Sequence, residues 1–383
     1  MGDPDPARHE RRKLRIVHCF RSPVGGIFRH VRDLAEAQVA AGHEVGIVCD
    51  SSTGGAFEEE LFARMEPMLP LGIRRTPMQR HIGLGDAAAA WRTYSLIKEL
   101  RPDVLHGHGA KGGVYARAFG SLFRASRSRV ARVYSPHGGS LHYDEGTLTG
   151  RAFFALENAM GRLTDHLLFV SEHEYRTYLR KVGTPHCPYK VVYNGLADHE
   201  FAPVSDAPDA TDFLYIGMMR DLKGPDLFID ALARVASVSG RKVSATMVGD
   251  GADLPRYRAQ ASNCADISVI FRDAMPARQA FALGRIMVVP SRAEAMPYIV
   301  IEAAAAGKLL IATAVGGIPE ILGSDSSALA DPTVESLAAR MASALADPAA
   351  LRAALPDIER MRTRFSNKTM VQEVETAYLP PMR

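Results

Sequence analysis

Apolar runs of strand length alternate with helical patterns along most of the chain, and this alternation occurs in two rounds. The first round begins at Leu14 and closes at the turn signal Asn194-Gly195. A stretch rich in Pro, Ala, Ser and Asp follows at 203–212, and the second round begins at Phe213. Alternating strands and helices form parallel sheets with crossover helices, so the pattern predicts two α/β domains. Open parallel sheets bind ligands at the carboxyl ends of their strands.

The length of the chain agrees with two domains, because 383 residues exceed what one ordinary hydrophobic core supports. We expect a disordered tail at 1–13, an N-terminal domain at 14–200 and a C-terminal domain at 201–364. The last segment, 365–383, is predicted to form a helix that returns to the N-terminal domain.

Charge and cysteine content restrict the class of protein. The formal net charge is only +3, which does not indicate a nucleic-acid-binding protein. The four cysteines lie far apart and form no metal-ligand spacing, as is typical of reduced intracellular thiols. No apolar stretch approaches the ~18 residues of a membrane span, and the polar N-terminus lacks the apolar core of a secretory signal. We therefore expect a cytoplasmic protein.

The run Pro290-Ser-Arg-Ala-Glu-Ala-Met-Pro297 follows an apolar strand and precedes a helix. Proline suits the first helical turn, where its missing N–H costs nothing. Backbone N–H groups at a helix start bind anions, which here predicts a phosphate-binding segment of Ala295, Met296, Pro297 and Tyr298, in which the residues other than proline supply the N–H groups. Glu294 in the loop would face a sugar and its phosphate, and Glu302 in the helix would reach ribose hydroxyls. The alternative is a loop acid and a solvated helix acid.

Two further loops of the second half follow strands. Arg220 and Lys223 lie three apart on a loop that leads into a helix, where they could clamp a diphosphate. A solvated basic loop is the alternative. Gly249 and Ile270 lie at neighbouring strand ends, from which backbone groups could contact a base.

Glycines and histidines mark the strand ends of the first half. Gly25-Gly26 allows close backbone approach to a phosphate or sugar, or forms a tight structural turn. His137 is a candidate to donate a hydrogen bond near a reacting carbon. For His106 and His108 we favour histidines satisfied by backbone groups at a strand end. H-x-H also suggests a metal, but the sequence shows no third ligand nearby, so we expect no metal site.

Taken together, these motifs resemble the family 4 retaining glycosyltransferases, whose GT-B fold pairs two facing Rossmann-like domains across an interdomain cleft. The most specific part is P-S-x-x-E-x-x-P, then E-A-x-x-x-G and G-G-x-P-E, at 290–320. Further matches to the family's motifs lie earlier in the chain and occur in the family's order. They are Gly25, His137, Ser171, Asn194 and Lys223. By this resemblance, Glu294 lies beside the donor sugar, Glu302 binds ribose and Lys223 binds the diphosphate. The family's usual arginine is replaced by Met218, and its usual Phe-Gly by Ala295-Met296.

The resemblance implies hexosyl transfer from a UDP- or GDP-sugar, with retention of configuration and without a metal ion. It implies an N-terminal domain that binds the acceptor and a C-terminal domain that binds the nucleotide sugar. Glu294 and His137 are the expected catalytic residues, and His108 and Asn194 are placed on the acceptor side. A glycan or lipid-linked acceptor of exopolysaccharide or lipopolysaccharide synthesis would fit. The alternatives are a nucleotide-sugar epimerase on the same fold and a non-catalytic sugar-binding module.

The segment 111–132 interleaves basic residues with apolar ones, which predicts a patch that lies on the anionic inner face of the cytoplasmic membrane. An ordinary solvated basic face is the alternative. The basic residues of this patch are Lys111, Arg117, Arg124, Arg127, Arg129 and Arg132.

Overall fold

The computed structural model describes residues 13–78, 86–126 and 129–378, and these form two compact units. Unit 1 contains the described residues up to Leu168, together with Pro185–Lys190 and the residues from Val374. Unit 2 contains Phe169–Thr184 and Val191–Glu373. The domain boundaries drawn from the sequence stay predictions, and the expected tail at 1–13 lies outside the described residues except for its last position.

The sheet of unit 1 has the strand order β3-β2-β1-β4-β5-β6-β7. The pairs from β3 to β6 are parallel. The order reverses at β1, because β2 and β4 lie on its two sides. The strands are β1 Arg15–Phe20, β2 Glu44–Asp50, β3 Gly72–Thr76, β4 Val104–His108, β5 Ala131–Ser135, β6 His166–Phe169 and β7 Tyr189–Val191.

The helices in this part of the chain include three that the sequence patterns did not predict, α2, α5 and α6. In α6, the buried residues are Glu174, Thr177 and Tyr178, so apolar periodicity hardly marks this helix. In α5, Leu148 is exposed while Phe154 is buried, so its apolar residues do not share one face. The helices are α1 Gly25–Ala40, α2 Ala56–Met65, α3 Asp86–Glu99, α4 Gly109–Ala125, α5 Leu148–Gly161 and α6 Glu172–Lys181.

The sheet of unit 2 is parallel, with the order β10-β9-β8-β11-β12-β13, and it reverses at β8. Its strands are β8 Thr211–Ile216, β9 Val243–Val248, β10 Ile267–Arg272, β11 Gly284–Val289, β12 Leu309–Thr313 and β13 Leu329–Ala330. The helices after β8 are α7 Pro225–Ser239, α8 Leu254–Ser262, α9 Ala277–Ala280, α10 Tyr298–Ala305, α11 Ile318–Leu322, α12 Val334–Ala346, α13 Pro348–Ala353, α14 Ile358–Arg364 and α15 Asn367–Thr376.

The two parallel sheets confirm the predicted α/β class with two Rossmann-like folds. Each sheet has its own buried apolar cluster, built around Val17 and Leu105 in unit 1 and around Leu214 and Val288 in unit 2. All four cysteines are free thiols. Among the described helices, none combines the length and the apolar character that crossing a lipid bilayer requires.

The predicted membrane patch is wrong for three of its apolar residues. Tyr115, Phe119 and Phe123 of α4 are buried in the core of unit 1, so they cannot enter a membrane. Arg117 is fully buried against Glu157. Two other members form ion pairs with Asp165, at 2.6 Å from Arg124 and 2.9 Å from Arg132. Lys111 is half-buried, Arg129 is exposed and Arg127 lies outside the described residues.

Candidate functional site

Four loops of unit 2 follow the carboxyl ends of neighbouring strands. They come after β8, β9, β11 and β12, at 217–224, 249–253, 290–297 and 314–317. Because these strands are parallel and adjacent, their carboxyl ends lie at one edge of the sheet. The sequence-predicted residues Arg220, Lys223, Gly249 and Glu294 all lie on these loops.

A salt bridge between Lys223 and Glu294 joins two of the loops. The Lys223 Nζ atom lies 2.5 Å from Glu294 Oε1, which also accepts a hydrogen bond of 2.7 Å from the Ser291 hydroxyl. The Glu294 side chain is only 9% exposed and that of Lys223 is 23% exposed. A buried carboxylate needs such partners, and the two loops bring this acid and this cation together. The sequence predicted both residues but not their direct contact.

Backbone packing brings the two loops together. Gly224 has φ +67°, and a Cβ at this position would overlap the carbonyl oxygen of Pro290. The Arg292 N–H donates to the Leu222 carbonyl over 2.9 Å. Glycine at 224 therefore allows the Lys223 loop to approach the Glu294 loop closely.

Two glycines of the loop after β12 support the Glu294 loop from another side. A Cβ at Gly316, which has φ +59°, would overlap the Glu294 carbonyl oxygen. The Gly317 N–H donates to the Ala295 carbonyl over 3.0 Å. The G-G-x-P-E motif is thus a backbone support for the loop that carries Glu294.

We expect Gly316→Ala to destabilise unit 2 by more than about 2 kcal/mol, because it combines a left-handed backbone with a steric overlap. Urea unfolding followed by circular dichroism measures this change. The matched control is Gly240→Ala, which has a similar φ of +63° but open space at the Cβ position. If both variants lose the same stability, the overlap with the Glu294 loop makes no contribution.

Helix α10 begins at Tyr298, the residue after Pro297. Pro297 has φ −75° and ψ 119°, so it precedes the helix instead of forming its first turn. The Pro297 carbonyl accepts hydrogen bonds from the N–H groups of Val300 and Ile301. The first N–H groups of any helix have no acceptor inside that helix. Met296 and Tyr298 are buried, at 5% and 7% exposure, so a ligand would meet this segment mainly through its backbone.

Glu302 lies inside α10 and is 8% exposed. Arg220 is exposed in the loop after β8, and Gly249 directly follows β9 with φ +142°. Ile270 lies within β10, two residues before its end, and is 45% exposed. Gly249 therefore lies at the strand end to which the sequence assigned it, whereas Ile270 lies inside β10.

Asn194 has a different environment from the expected acceptor side. Its side chain is 4% exposed, and its Nδ2 atom donates to the Met296 carbonyl over 2.8 Å. Asn194 therefore holds the segment that precedes α10, and it lies in unit 2.

Glu320 is a structural residue whose partners the sequence did not reveal. Its carboxylate accepts from the Glu172 N–H at 3.0 Å and from the His173 N–H at 2.8 Å. These N–H groups open α6, so Glu320 caps a helix that begins 148 residues earlier in the chain.

Unit 1 brings five histidines together at the carboxyl ends of its central strands. His18 lies opposite His106 in the β1–β4 register, and His108 lies opposite Ser135 in the β4–β5 register. His137 follows β5, and His30 comes from α1. Gly25 and Gly26 are exposed in the first turn of α1, and a Cβ at Gly25 would meet open space. Its φ of +66° is therefore what favours glycine there.

Hydrogen bonds link most of these rings to one another. The His18 Nδ1 atom lies 3.0 Å from His108 Nε2, and His108 Nδ1 lies 3.0 Å from His137 Nε2. His106 binds the Ser135 hydroxyl at 2.9 Å and the Tyr378 hydroxyl at 2.8 Å. His106 and His108 are thus satisfied by side chains and not, as we expected, by backbone groups.

Burial keeps four of these imidazoles neutral. It lowers the pKa of His18 to about 4, against a smaller opposing effect of the hydrogen bond to Gln38. Burial also lowers the pKa values of His106, His108 and His137 well below the usual range, and neighbouring histidines lower them further. These four rings therefore act at neutral pH as hydrogen-bonding groups or ligands and carry no charge.

The expectation that H-x-H has no third ligand nearby is wrong. Ring nitrogens of His18, His106 and His108 lie within 4.8 Å of one another, and so do those of His30, His108 and His137. The partners come from other strands and from a helix, so the local spacing around 106–108 carries no sign of them.

Comparisons with known proteins identify the family of this chain. The family model "Glycosyltransferase Family 4" matches residues 24–199, and the model "Glycosyl transferases group 1" matches residues 210–347. The glycogen synthase of Mycobacterium tuberculosis is 26% identical and aligns with 94% of this chain and 92% of its own. The gpi3 subunit of the phosphatidylinositol N-acetylglucosaminyltransferase of Schizosaccharomyces pombe is 28% identical, over 87% of this chain and 72% of its own.

Among solved structures, Anabaena HepE in complex with UDP and glucose superposes with a TM-score of 0.75. The alignment covers 95% of this chain and 98% of that one at 16% identity, which shows a shared fold. The two family models together span most of the chain, one on each half. This chain belongs to the family 4 glycosyltransferases and has the GT-B type of fold.

Proposed function

We propose that the protein is a retaining hexosyltransferase that uses a nucleoside-diphosphate sugar and a glycan or lipid-linked acceptor in the cytoplasm. The observation that carries this proposal is the contact of 2.5 Å between Lys223 and Glu294, beside the start of α10. It puts a cation, a carboxylate and the N-terminal end of a helix at one edge of the unit 2 sheet. That combination matches the charges of a sugar diphosphate.

The leaving diphosphate gains negative charge as the glycosidic bond breaks, and that charge must be stabilised. An ammonium group has three donors, so Lys223 can hold Glu294 and a phosphate oxygen together. Arg220 and the first N–H groups of α10 add preorganised positive potential. These groups would supply the stabilisation without a metal ion, and Glu302 would hold the ribose hydroxyls.

Retention would arise from attack on the face of the sugar that the diphosphate leaves. In that scheme a phosphate oxygen accepts the proton of the acceptor hydroxyl, and Glu294 keeps the sugar and Lys223 in position. His137 in unit 1 is the proposed hydrogen-bond partner of the sugar.

Known relatives support the classes of donor and acceptor. The Anabaena structure contains UDP and glucose, which favours a UDP-hexose over a GDP-hexose. The mycobacterial relative is named for a glycan product and the yeast relative for a phosphatidylinositol acceptor. Growing exopolysaccharide or lipopolysaccharide chains combine both features.

A donor screen with UDP- and GDP-sugars, with and without lipid extract, tests the proposal. We expect transfer from one donor class and a product whose anomeric configuration, read by NMR, equals that of the donor. Inversion would contradict the retaining mechanism. Interconversion of sugars without an acceptor would indicate an epimerase, and binding without turnover would indicate a sugar-binding module.

Glu302→Ala should weaken donor affinity by about 10-fold to 100-fold, because the ribose hydroxyls lose the buried carboxylate that accepts their hydrogen bonds. Isothermal titration with the nucleotide alone measures this. Glu359→Ala is the control, since that side chain is 83% exposed on α14. Equal affinity in the Glu302 variant and the wild type would remove ribose binding from the proposal.

A further inference from the structure

The histidine cluster of unit 1 contains two triads that share His108, and their ring nitrogens are engaged differently. In the inner triad, His18 binds Gln38 Oε1 at 2.8 Å, and His106 binds Ser135 and Tyr378 through its two nitrogens. These rings are fully committed to protein partners. The outer triad consists of His30, His108 and His137, and it includes the half-buried His137.

The outer triad has the dimensions of a tetrahedral metal site. Its ring centroids are separated by 4.7 Å (His30 to His137), 5.3 Å (His108 to His137) and 5.5 Å (His30 to His108). Three imidazoles on a zinc ion, with zinc–nitrogen distances of about 2.1 Å, place their centroids about 5 Å apart. The distance of 3.0 Å between His108 Nδ1 and His137 Nε2 is also close to the ~3.3 Å between ligand atoms of such a site.

The hydrogen bonds behind the triad set the tautomer of His108. Gln38 Nε2 donates to Tyr378, so Gln38 Oε1 accepts from His18 Nε2–H. His18 Nδ1 then accepts from His108 Nε2–H, which leaves the lone pair of His108 Nδ1 directed at His137. Histidine ligands of metal ions donate their other ring N–H to an acceptor that fixes the tautomer, and His18 Nδ1 is the acceptor for His108.

The backbone of His137 is held in an uncommon conformation. Its φ is +50°, one of two positive values among the described non-glycine residues. A non-glycine residue in this region is disfavoured, and such strain persists at sites where the surroundings require one orientation of the side chain. Here it directs the imidazole toward His108 and His30.

We propose that His30, His108 and His137 form a binding site for a divalent transition metal ion of the zinc class, with a fourth position open to water or an acceptor oxygen. The ion would take the place of the hydrogen between His108 and His137. Neutral imidazole is the ligand that such ions prefer. This site belongs to unit 1 and is separate from the stabilisation of the diphosphate by Lys223 in unit 2.

Titration of the chelator-treated full-length protein with Zn²⁺ tests the site, and Co²⁺ provides a visible absorption that reports tetrahedral nitrogen ligation. We expect one equivalent to bind with a Kd of about 1 µM or tighter. His137→Asn should weaken binding at least about 10-fold, and asparagine tolerates the positive φ. His30→Gln should have the same effect. His186→Gln is the control, because His186 is exposed and bonded to Asn158.

Circular dichroism and melting curves verify that each variant folds, and the binding signal does not depend on glycosyl transfer. Failure of the wild type to bind Zn²⁺ at about 100 µM would overturn the proposal. Unchanged affinity in both His30→Gln and His137→Asn would also overturn it, because the ion would then bind elsewhere. Loss of the Co²⁺ absorption in these two variants, but not in His186→Gln, would support it.

Discussion

Lys223→Ala is expected to lower kcat/KM for the nucleotide sugar by about 10³-fold, while the protein remains folded. A single preorganised donor to a developing negative charge contributes about 3–4 kcal/mol to transition-state stabilisation. Lys223 lies 2.5 Å from Glu294, so its loss also leaves that largely buried carboxylate with weaker compensation. Steady-state kinetics over a range of donor concentrations measures the effect, and a fall in kcat would place the lysine in the transition state.

Lys242→Ala is the matched control, because Lys242 is exposed before β9 and lies outside the four loops. It should keep wild-type kinetics. If Lys223→Ala retains wild-type kcat/KM as well, the salt bridge to Glu294 is only structural and the diphosphate is held by other groups. Lys223→Arg is informative in addition, since a guanidinium does not reproduce the compact charge of an ammonium.

Arg117→Leu is expected to destabilise unit 1 by about 3–5 kcal/mol, because it leaves a buried carboxylate without its cation. The Arg117 side chain is 0% exposed and Glu157 is 6% exposed, and their charged atoms lie 2.6 Å apart. The guanidinium also lies 4.0 Å from the centroid of the Tyr134 ring and donates to the Gly113 carbonyl at 2.9 Å. Urea unfolding and the melting temperature measure the loss.

The double variant Arg117→Leu with Glu157→Leu should recover part of that stability, since it removes both buried charges. Arg124→Ala serves as the control. Arg124 pairs with Asp165 but is 39% exposed, so its loss should cost less than about 1 kcal/mol. A small effect of Arg117→Leu, similar to that of Arg124→Ala, would contradict the proposed importance of the buried pair.

Most strands of the fold could be predicted from the sequence, because buried parallel strands are short apolar runs between turn residues. β8, β9 and β11 lie where such runs occur, to within two residues at each end. Helix α6 could not be predicted in this way. It is polar along its length and is stabilised by caps from Ser171 and from Glu320.

The candidate donor loops could also be located from the sequence, because they carry motifs in which residue types follow each other closely. Glu294, Glu302 and Lys223 were all assigned from such spacing. The basic segment 111–132 shows the opposite case. Its composition suggested a surface patch, but Tyr115, Phe119 and Phe123 belong to the core of unit 1 and Arg117 is fully buried.

The sequence alone determined the α/β class, the two rounds of strands and helices, and the residue types of the donor loops. Periodicity and motifs are patterns among residues that are neighbours along the chain. The α/β class, the two rounds of strands and helices, and the residue types of the donor loops depend on those neighbours. The tertiary structure alone decided which distant residues meet. Lys223 and Glu294 are 71 positions apart and His18 and His108 are 90 apart. Each pair is joined by the order and register of parallel strands, which depend on packing throughout a sheet.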